Sequence, residues 1–477
     1  MLFNSYIFIF LFLPATLLVY FTLNRLKLTY PAKISLIIAS LFFYGYNNPK
    51  YVLIIVASII LNYLLCILMR RYIAQRKKIV VLGVVANVLL LGYFKYFDFL
   101  IQNINQIFDS SFDYLQIALP LGISFFTFQQ ISYLVDTSRG EQTGESFVDY
   151  VLFVTFFPQL VAGPIVSHDE ILPQLASKEN KRFRSDNMVQ GIIAFSIGLF
   201  KKVIVADNLG KIVTYGYQHI PQLNSFEAFL TIIAYTLQIY FDFSGYCDMA
   251  TGIGLMFNIK LPMNFNSPYK STTILEFWKR WHITLTRFLT KYIYIPLGGN
   301  RKGTIHTYLN IFLVFLISGI WHGAGYTFII WGILHGLASM LCRVFAKQVS
   351  KIPKWINWLL TFIFLNFTWV IFRADSISQA GLLIRRLTVG GFEINEELTE
   401  TLLQPTFISV PYQFLPFVFV IIVYIVVSLA VCIFCKNTNE LVEKKSTSVQ
   451  SLLATLCLFI LSIISLSGVS TFLYFNF

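Results

Sequence analysis

Charge is what this sequence has least of. Asp, Glu, Lys and Arg make up 12% of the 477 residues, against about a quarter in soluble domains. That shortage excludes an ordinary water-soluble domain. With 56% hydrophobic and 17% aromatic residues, the chain is built for a bilayer. Acid is scarcer than base, 23 Asp and Glu against 36 Lys and Arg, for a formal charge of +13. This excess does not point to nucleic acid, because the basic residues fall in short loops between apolar runs, the pattern of cytoplasmic loops. The six cysteines form no disulfide framework, and the C-x-x-C of Cys432 and Cys435 has no second pair to complete a metal site. Also missing are G-x-S-x-G, Walker A and H-E-x-x-H strings, which argues against serine-hydrolase, P-loop and zinc-protease chemistry.

What is present is a series of apolar runs. A membrane-spanning helix needs roughly 20 mostly apolar residues. Candidate spans lie near 3–23, 31–46, 51–69, 79–97, 114–135, 147–166, 187–206, 226–258, 307–342, 354–372, 412–435 and 450–475. The pattern predicts an all-α, polytopic integral membrane protein with about ten to twelve transmembrane helices, in one domain over 1–477. Continuous rather than alternating hydrophobicity excludes a β-barrel. No Lys or Arg precedes the first run, so it reads as a retained span. The loop at 70–78 (RRYIAQRKK) is expected in the cytoplasm, which places Met1 outside. The longest polar stretches, 167–187 and 373–404, are loop-sized. Two runs, 226–258 and 307–342, exceed one span and carry glycine clusters, so both are expected to be broken or paired helices.

Between 307 and 342 there is no Asp, Glu, Lys or Arg, yet His322 and His335 lie inside the run. An ionisable group at membrane depth is a functional-site hypothesis by default. Gly319, Gly323 and Gly325 flank His322, so the chain there is expected to break and approach a ligand closely. The stretch 273–293 (TILEFWKRWHITLTRFLTKYI) has helical spacing, with Trp278, Trp281, Leu285 and Leu289 on one side and Arg280, Arg287 and Lys291 on the other. It is expected to lie at the cytoplasmic interface as one amphipathic helix. On charge alone its cations favour a surface helix reaching to anionic lipid, but His282 at the edge of the apolar stripe shifts the balance to a phosphate-bearing acyl donor. Trp278, Arg280, Trp281, Arg287 and Lys291 are therefore candidate acyl-CoA contacts, and His282 and His322 the candidate catalytic pair. Asp242, Asp248, Trp321 and His335 are read as orienting groups. The glycines near the aspartates (Gly245, Gly252, Gly254) read as close helix packing. No metal ligand set is apparent.

At these residues the chain resembles the membrane-bound O-acyltransferase family. The resemblance rests on PMNFNSPYKSTTILEFWKRWHITLTRFLTKYIYIPLGGNR and ISGIWHGAGYTFIIWGILHG, with FFPQLVAGPIV (156–166) and YFDFSGYCDMATGIG (240–254), and covers roughly 151–341. Within the family, YIPLGGNRKG (294–303) is similar to the bacterial branch of alginate and peptidoglycan O-acetyltransferases. The teichoic acid D-alanylation branch departs in this segment. The resemblance implies broken and interfacial helices around a central tunnel. It implies a cytoplasmic acetyl-CoA donor, no cofactor, and an acceptor on the far side. His322 matches the family's invariant histidine, His282 its second motif histidine, and His335 a frequent structural position. The implied function is O-acetylation of an extracytoplasmic polysaccharide, alginate-like or peptidoglycan, from the bacterial cytoplasmic membrane with a separate SGNH-type partner. A transporter or lipid flippase is the rival reading, since it too uses broken helices and buried Asp and His.

Overall fold

Lipid offers no hydrogen bonds, so apolar runs must satisfy their backbone groups internally, and in open chains that leaves the helix. The computed structural model describes residues 1–141, 145–391, 417–443, 448–466 and 472–473, with the backbone alone at 417–420. Every regular element among them is helical. Parts of the expected 412–435 and 450–475 spans, and of the 373–404 stretch, lie outside the described residues.

In chain order the first helices are α1 (Leu13–Arg25), α2 (Thr29–Gly45), α3 (Lys50–Arg71), α4 (Arg76–Leu91), α5 (Phe97–Phe108), α6 (Ile123–Arg139), α7 (Phe147–Thr155), α8 (Phe157–Leu160) and α9 (His168–Ala176). Next come α10 (Ser185–Phe200), α11 (Asp207–Gln218), α12 (Ser225–Met256), α13 (Ile274–Trp278), α14 (Ile283–Leu289), α15 (Thr304–His322) and α16 (Tyr326–Val344). The last are α17 (Ala346–Val349), α18 (Lys354–Arg373), α19 (Ile377–Val389), α20 (Phe417–Phe434), α21 (Thr438–Glu443) and α22 (Val449–Ile464). Seven helical stretches among the described residues are long and apolar enough to cross a membrane: Phe8–Arg25, Lys50–Arg71, Ile73–Phe108, Ser185–Gln218, Thr304–His322, Tyr326–Val344 and Lys354–Arg373. Shorter apolar helices run over Ile421–Phe434 and Val449–Ile464. The chain is a multi-pass membrane protein.

Contacts gather in two units, Met1–Phe195 with Met249–Pro262, and Ser196–Asp248 with Met263–Phe477. The first unit packs Phe3, Phe8, Phe12, Phe43 and Phe157 ring against ring at 5.0–5.8 Å for the closest pairs. It also carries a buried amide cluster: Asn62 Nδ2 donates to Gln130 Oε1 (2.8 Å), and Asn87 Nδ2 donates to Asn62 Oδ1 (2.6 Å). Such bonds tie α3, α4 and α6 together where the hydrophobic effect between lipid-facing helices is weak.

Three expectations change. The 226–258 run is one uninterrupted helix of 32 residues, α12, not a broken pair. Its Gly245 serves packing, since a Cβ there would lie 2.8 Å from the Gly198 carbonyl oxygen. The 147–166 run is not one span but two short helices and a coil, broken around Pro158, Gly163 and Pro164. The 307–342 run does split as expected. Residues 323–325 separate α15 from α16, and the two helices return side by side, with Gly319 so close to α16 that a Cβ would meet the Phe328 carbonyl oxygen at 2.4 Å.

Candidate active site

The expected amphipathic helix at 273–293 is the third correction. Thr273 caps α13 by accepting from the Glu276 N–H (3.1 Å), but the helix ends at Trp278 and α14 begins only at Ile283. Between them His282 sits in the left-handed region at φ 45°, ψ 52°. A non-glycine residue held there costs about 1–3 kcal/mol and persists only when its surroundings enforce it. Here residues 264–266 run alongside the bend: the Asn266 N–H donates to the Arg280 carbonyl (2.9 Å) and the Ile283 N–H to the Asn264 carbonyl (3.0 Å). Because the helix is interrupted, Arg280 and Arg287 do not share one continuous helical face.

The same segment fixes the His282 ring. The Asn264 side-chain oxygen accepts from the Thr284 backbone N–H (3.2 Å) and the Thr284 hydroxyl (2.9 Å), and lies 3.1 Å from His282 Nδ1. A backbone N–H can only donate, so the atom facing it is the amide oxygen, and Nδ1 must carry the proton. The lone pair is then on Nε2. Burial, with His282 1% exposed, lowers its pKa well below the usual range, so the ring is neutral. Its faces meet Phe243 (4.9 Å between centroids, 86°) and Trp321 (6.3 Å).

His322 is the last residue of α15, 5% exposed. Its ring is enclosed by Trp321 (5.0 Å), Trp331 (5.1 Å) and Phe372 (5.3 Å). Next to it Gly323 leaves in an extended conformation, and any Cβ there would lie 2.1 Å from the Phe328 ring. Trp321 thus touches both histidines. Trp331, fully buried, has an indole N–H with no hydrogen-bond partner among the described residues.

His335 lies one layer on, 4.6 Å from the Trp331 ring. The Trp278 indole donates to its Nδ1 (3.2 Å), and its Nε2 faces the Thr368 hydroxyl (3.1 Å), which itself donates to the Leu365 carbonyl (3.0 Å). Both ring nitrogens are therefore engaged by the protein, leaving none for a substrate. Trp281 packs on Phe265 and Trp369, each at 5.0 Å. Trp278 and Trp281 are buried at 6% and 3% exposure, so they are walls of the cluster rather than surface contacts.

The charged candidates lie apart from the imidazoles. Asp242 accepts from Lys202 Nζ (2.7 Å) and the Leu473 N–H (3.0 Å), not from a histidine. Lys202 also meets Asp207 (2.8 Å). Asp248 accepts from Lys201 Nζ and the Thr438 hydroxyl, both at 2.6 Å. Each of the two α12 aspartates thus faces a lysine, and these contacts hold α12 to the helical segment after α10. Arg280 is engaged by Glu276 (2.9 Å) and the Asn266 carbonyl (3.2 Å). Arg287 is exposed, and Lys291 lies over the Tyr292 ring at 5.2 Å. No three of His, Cys, Asp and Glu converge into a metal-holding group among the described residues.

Asn264, Trp331 and the Lys201–Lys202 pair escaped the sequence reading. The lysines sit in the apolar run 187–206 and carried the same signal as the histidines, an ionisable group at membrane depth.

Residues 38–377 match the family model described as MBOAT, membrane-bound O-acyltransferase family. A peptidoglycan O-acetyltransferase of Helicobacter pylori is 43% identical, over 100% of this chain and 98% of its own. A probable alginate O-acetylase of Pseudomonas aeruginosa is 39% identical, over 80% of this chain and 73% of its own. A teichoic acid D-alanyltransferase of Bacillus subtilis is 28% identical, over 53% and 68%. With most of its length matched in this way, the chain is a member of the membrane-bound O-acyltransferase family.

Proposed function

We propose that this acyltransferase takes an acetyl group from cytoplasmic acetyl-CoA and passes it across the bacterial cytoplasmic membrane for O-acetylation of an extracytoplasmic polysaccharide, with a separate SGNH-type protein completing transfer to the sugar. Peptidoglycan is the favoured polymer, because similarity to the H. pylori peptidoglycan enzyme runs end to end, whereas the alginate relative covers 80% of this chain. The observation that carries the reading is a buried histidine, His322, at a helix break inside a charge-free run and one indole away from His282.

In this scheme the His322 imidazole accepts the proton of an acceptor hydroxyl as its oxygen attacks the thioester carbonyl. The carbon–sulfur bond then breaks, and coenzyme A departs as the thiol with that proton. Neutral His282 offers a lone pair at Nε2 and so suits an amide N–H of the donor's arm better than a carbonyl oxygen. The Trp331 indole N–H is the donor assigned to the developing oxyanion. Arg287 and Lys291 lie on the basic segment that would meet the donor's phosphates.

Proteoliposomes test this. With labelled acetyl-CoA on the cytoplasmic side and the SGNH partner inside, label should accumulate on the partner or sugar while coenzyme A stays outside. If the thioester stays intact while some other solute or lipid crosses, the chain is acting as a transporter and the proposal fails.

A further inference from the structure

The first unit contains a cavity of about 1110 Å³ that the acyl-transfer chemistry does not use, larger than a typical small-molecule site. One wall is α1, with Leu17, Leu18 and Phe21, and the other is Phe183, just before α10, with Met188 in its first turn. Phe21 and Phe183 meet edge to face at 5.6 Å, yet Leu18 and Phe183 remain 70% and 59% exposed. This apolar wall belongs to the second half of the candidate span Phe8–Arg25, which ends at the cationic residue Arg25.

The rim is cationic. Arg25 and Lys27 close α1, and Lys178, Lys181 and Arg182 come from the turn between α9 and α10. Among the described residues, no Asp or Glu lines the cavity. Burial, then the nearby Lys33 charge, depress the Lys181 pKa, with Asp149 opposing them and Lys178 adding to them. An anion at this rim would relieve that crowding. The turn is also held in place: Asn258 Nδ2 donates to the carbonyls of Asn180 (2.9 Å) and Arg182 (2.7 Å). Gln174 exchanges two bonds with the Lys260 backbone (3.0 and 2.8 Å). Cations presented from anchored backbone above an apolar trough differ from side chains that merely reach to the membrane surface.

We infer that this cavity is a binding site for an anionic phospholipid, its phosphate held by Lys178, Lys181 and Arg182 with Arg25 and Lys27, and one acyl chain laid along Leu17, Leu18 and Phe21. A soluble phosphate leaves the apolar trough unused, and a zwitterionic lipid leaves the cationic rim uncompensated. The inference does not depend on the acyl-transfer reading.

The test uses the full chain, purified in detergent and exposed to equimolar phosphatidylglycerol and phosphatidylcholine of identical chains, with retained lipid read by native mass spectrometry. At roughly fivefold in affinity per basic side chain at a lipid surface, the five cations give a preference for phosphatidylglycerol of at least about 100-fold, and removing three of them lowers it by about 100-fold. Wild-type protein should show that preference. The variant K178Q/K181Q/R182Q should lose about 100-fold of it, keeping only what Arg25 and Lys27 supply, while K77Q/K78Q, exposed cations elsewhere, should keep it. Equal retention of the two lipids by wild type overturns the proposal without reference to any variant. So does undiminished selectivity in the triple variant, or displacement of the lipid by millimolar inorganic phosphate or by coenzyme A, which would assign the rim to a soluble ligand.

Discussion

Replacing Asn264 by leucine should damage both stability and turnover. Its side-chain oxygen holds His282 Nδ1 (3.1 Å), the Thr284 N–H (3.2 Å) and the Thr284 hydroxyl (2.9 Å), in surroundings where all three residues are at most 2% exposed. The hydroxyl can turn to another acceptor. The imidazole and backbone N–H groups cannot, and each buried donor left unsatisfied costs about 1–3 kcal/mol. Asn264→Leu should therefore lose about 2–6 kcal/mol. Without that bond the His282 tautomer and ring orientation are no longer set, and a shift of about 1 Å at a reacting centre costs on the order of 100-fold in rate. Asn264→Asp keeps the acceptor and should hold the ring better, although it buries a charge. Thermal unfolding in detergent and acetyl-transfer kcat are the assays. Wild-type melting and turnover in Asn264→Leu would refute the claim that this amide fixes His282.

Neutralising Arg287 and Lys291 together should raise KM for acetyl-CoA roughly tenfold or more while changing kcat less, since a charge-assisted hydrogen bond is worth about 1.5–3 kcal/mol; an unchanged KM returns this segment to lipid. Gly332→Val should destabilise by at least about 1–3 kcal/mol in thermal melting, because a Cβ there would lie 2.6 Å from the Phe315 carbonyl oxygen. As its control, Gly381→Ala in α19, with nothing within 4 Å of the added carbon, should be neutral or stabilising. Lys202→Met should cost about 3–5 kcal/mol by stranding Asp242, its partner at 2.7 Å, and adding Asp242→Leu should recover part of the lost melting temperature.

The family and membrane architecture were legible because both are written in contiguous residues: long apolar runs, and ordered strings around His282 and His322. The break beside His322 was legible too, since three glycines cluster in a run too long for one span. The same signal misled at 226–258, where glycine serves close approach between helices, and hydropathy does not distinguish a glycine that bends a helix from one that packs it. The interruption at His282 was hidden because Trp278, Trp281, Leu285 and Leu289 keep helical spacing across it, while the cause lies upstream in residues 264–266. Asn264 has no periodicity to betray it, and its partner is 18 positions away. The lysines that pair with Asp242 and Asp248 lie 40 and 47 residues away, so no local string joins acid to base.

The central claim, that the buried histidine at the α15–α16 break performs acyl transfer, is tested most directly by the transfer rate of His322→Ala. General-base assistance is worth about 100- to 10,000-fold, so the variant should insert, elute and melt like wild type while its acetyl-CoA-dependent transfer falls by at least about 100-fold. Transfer within a few-fold of wild type in that folded variant would remove His322 from the chemistry.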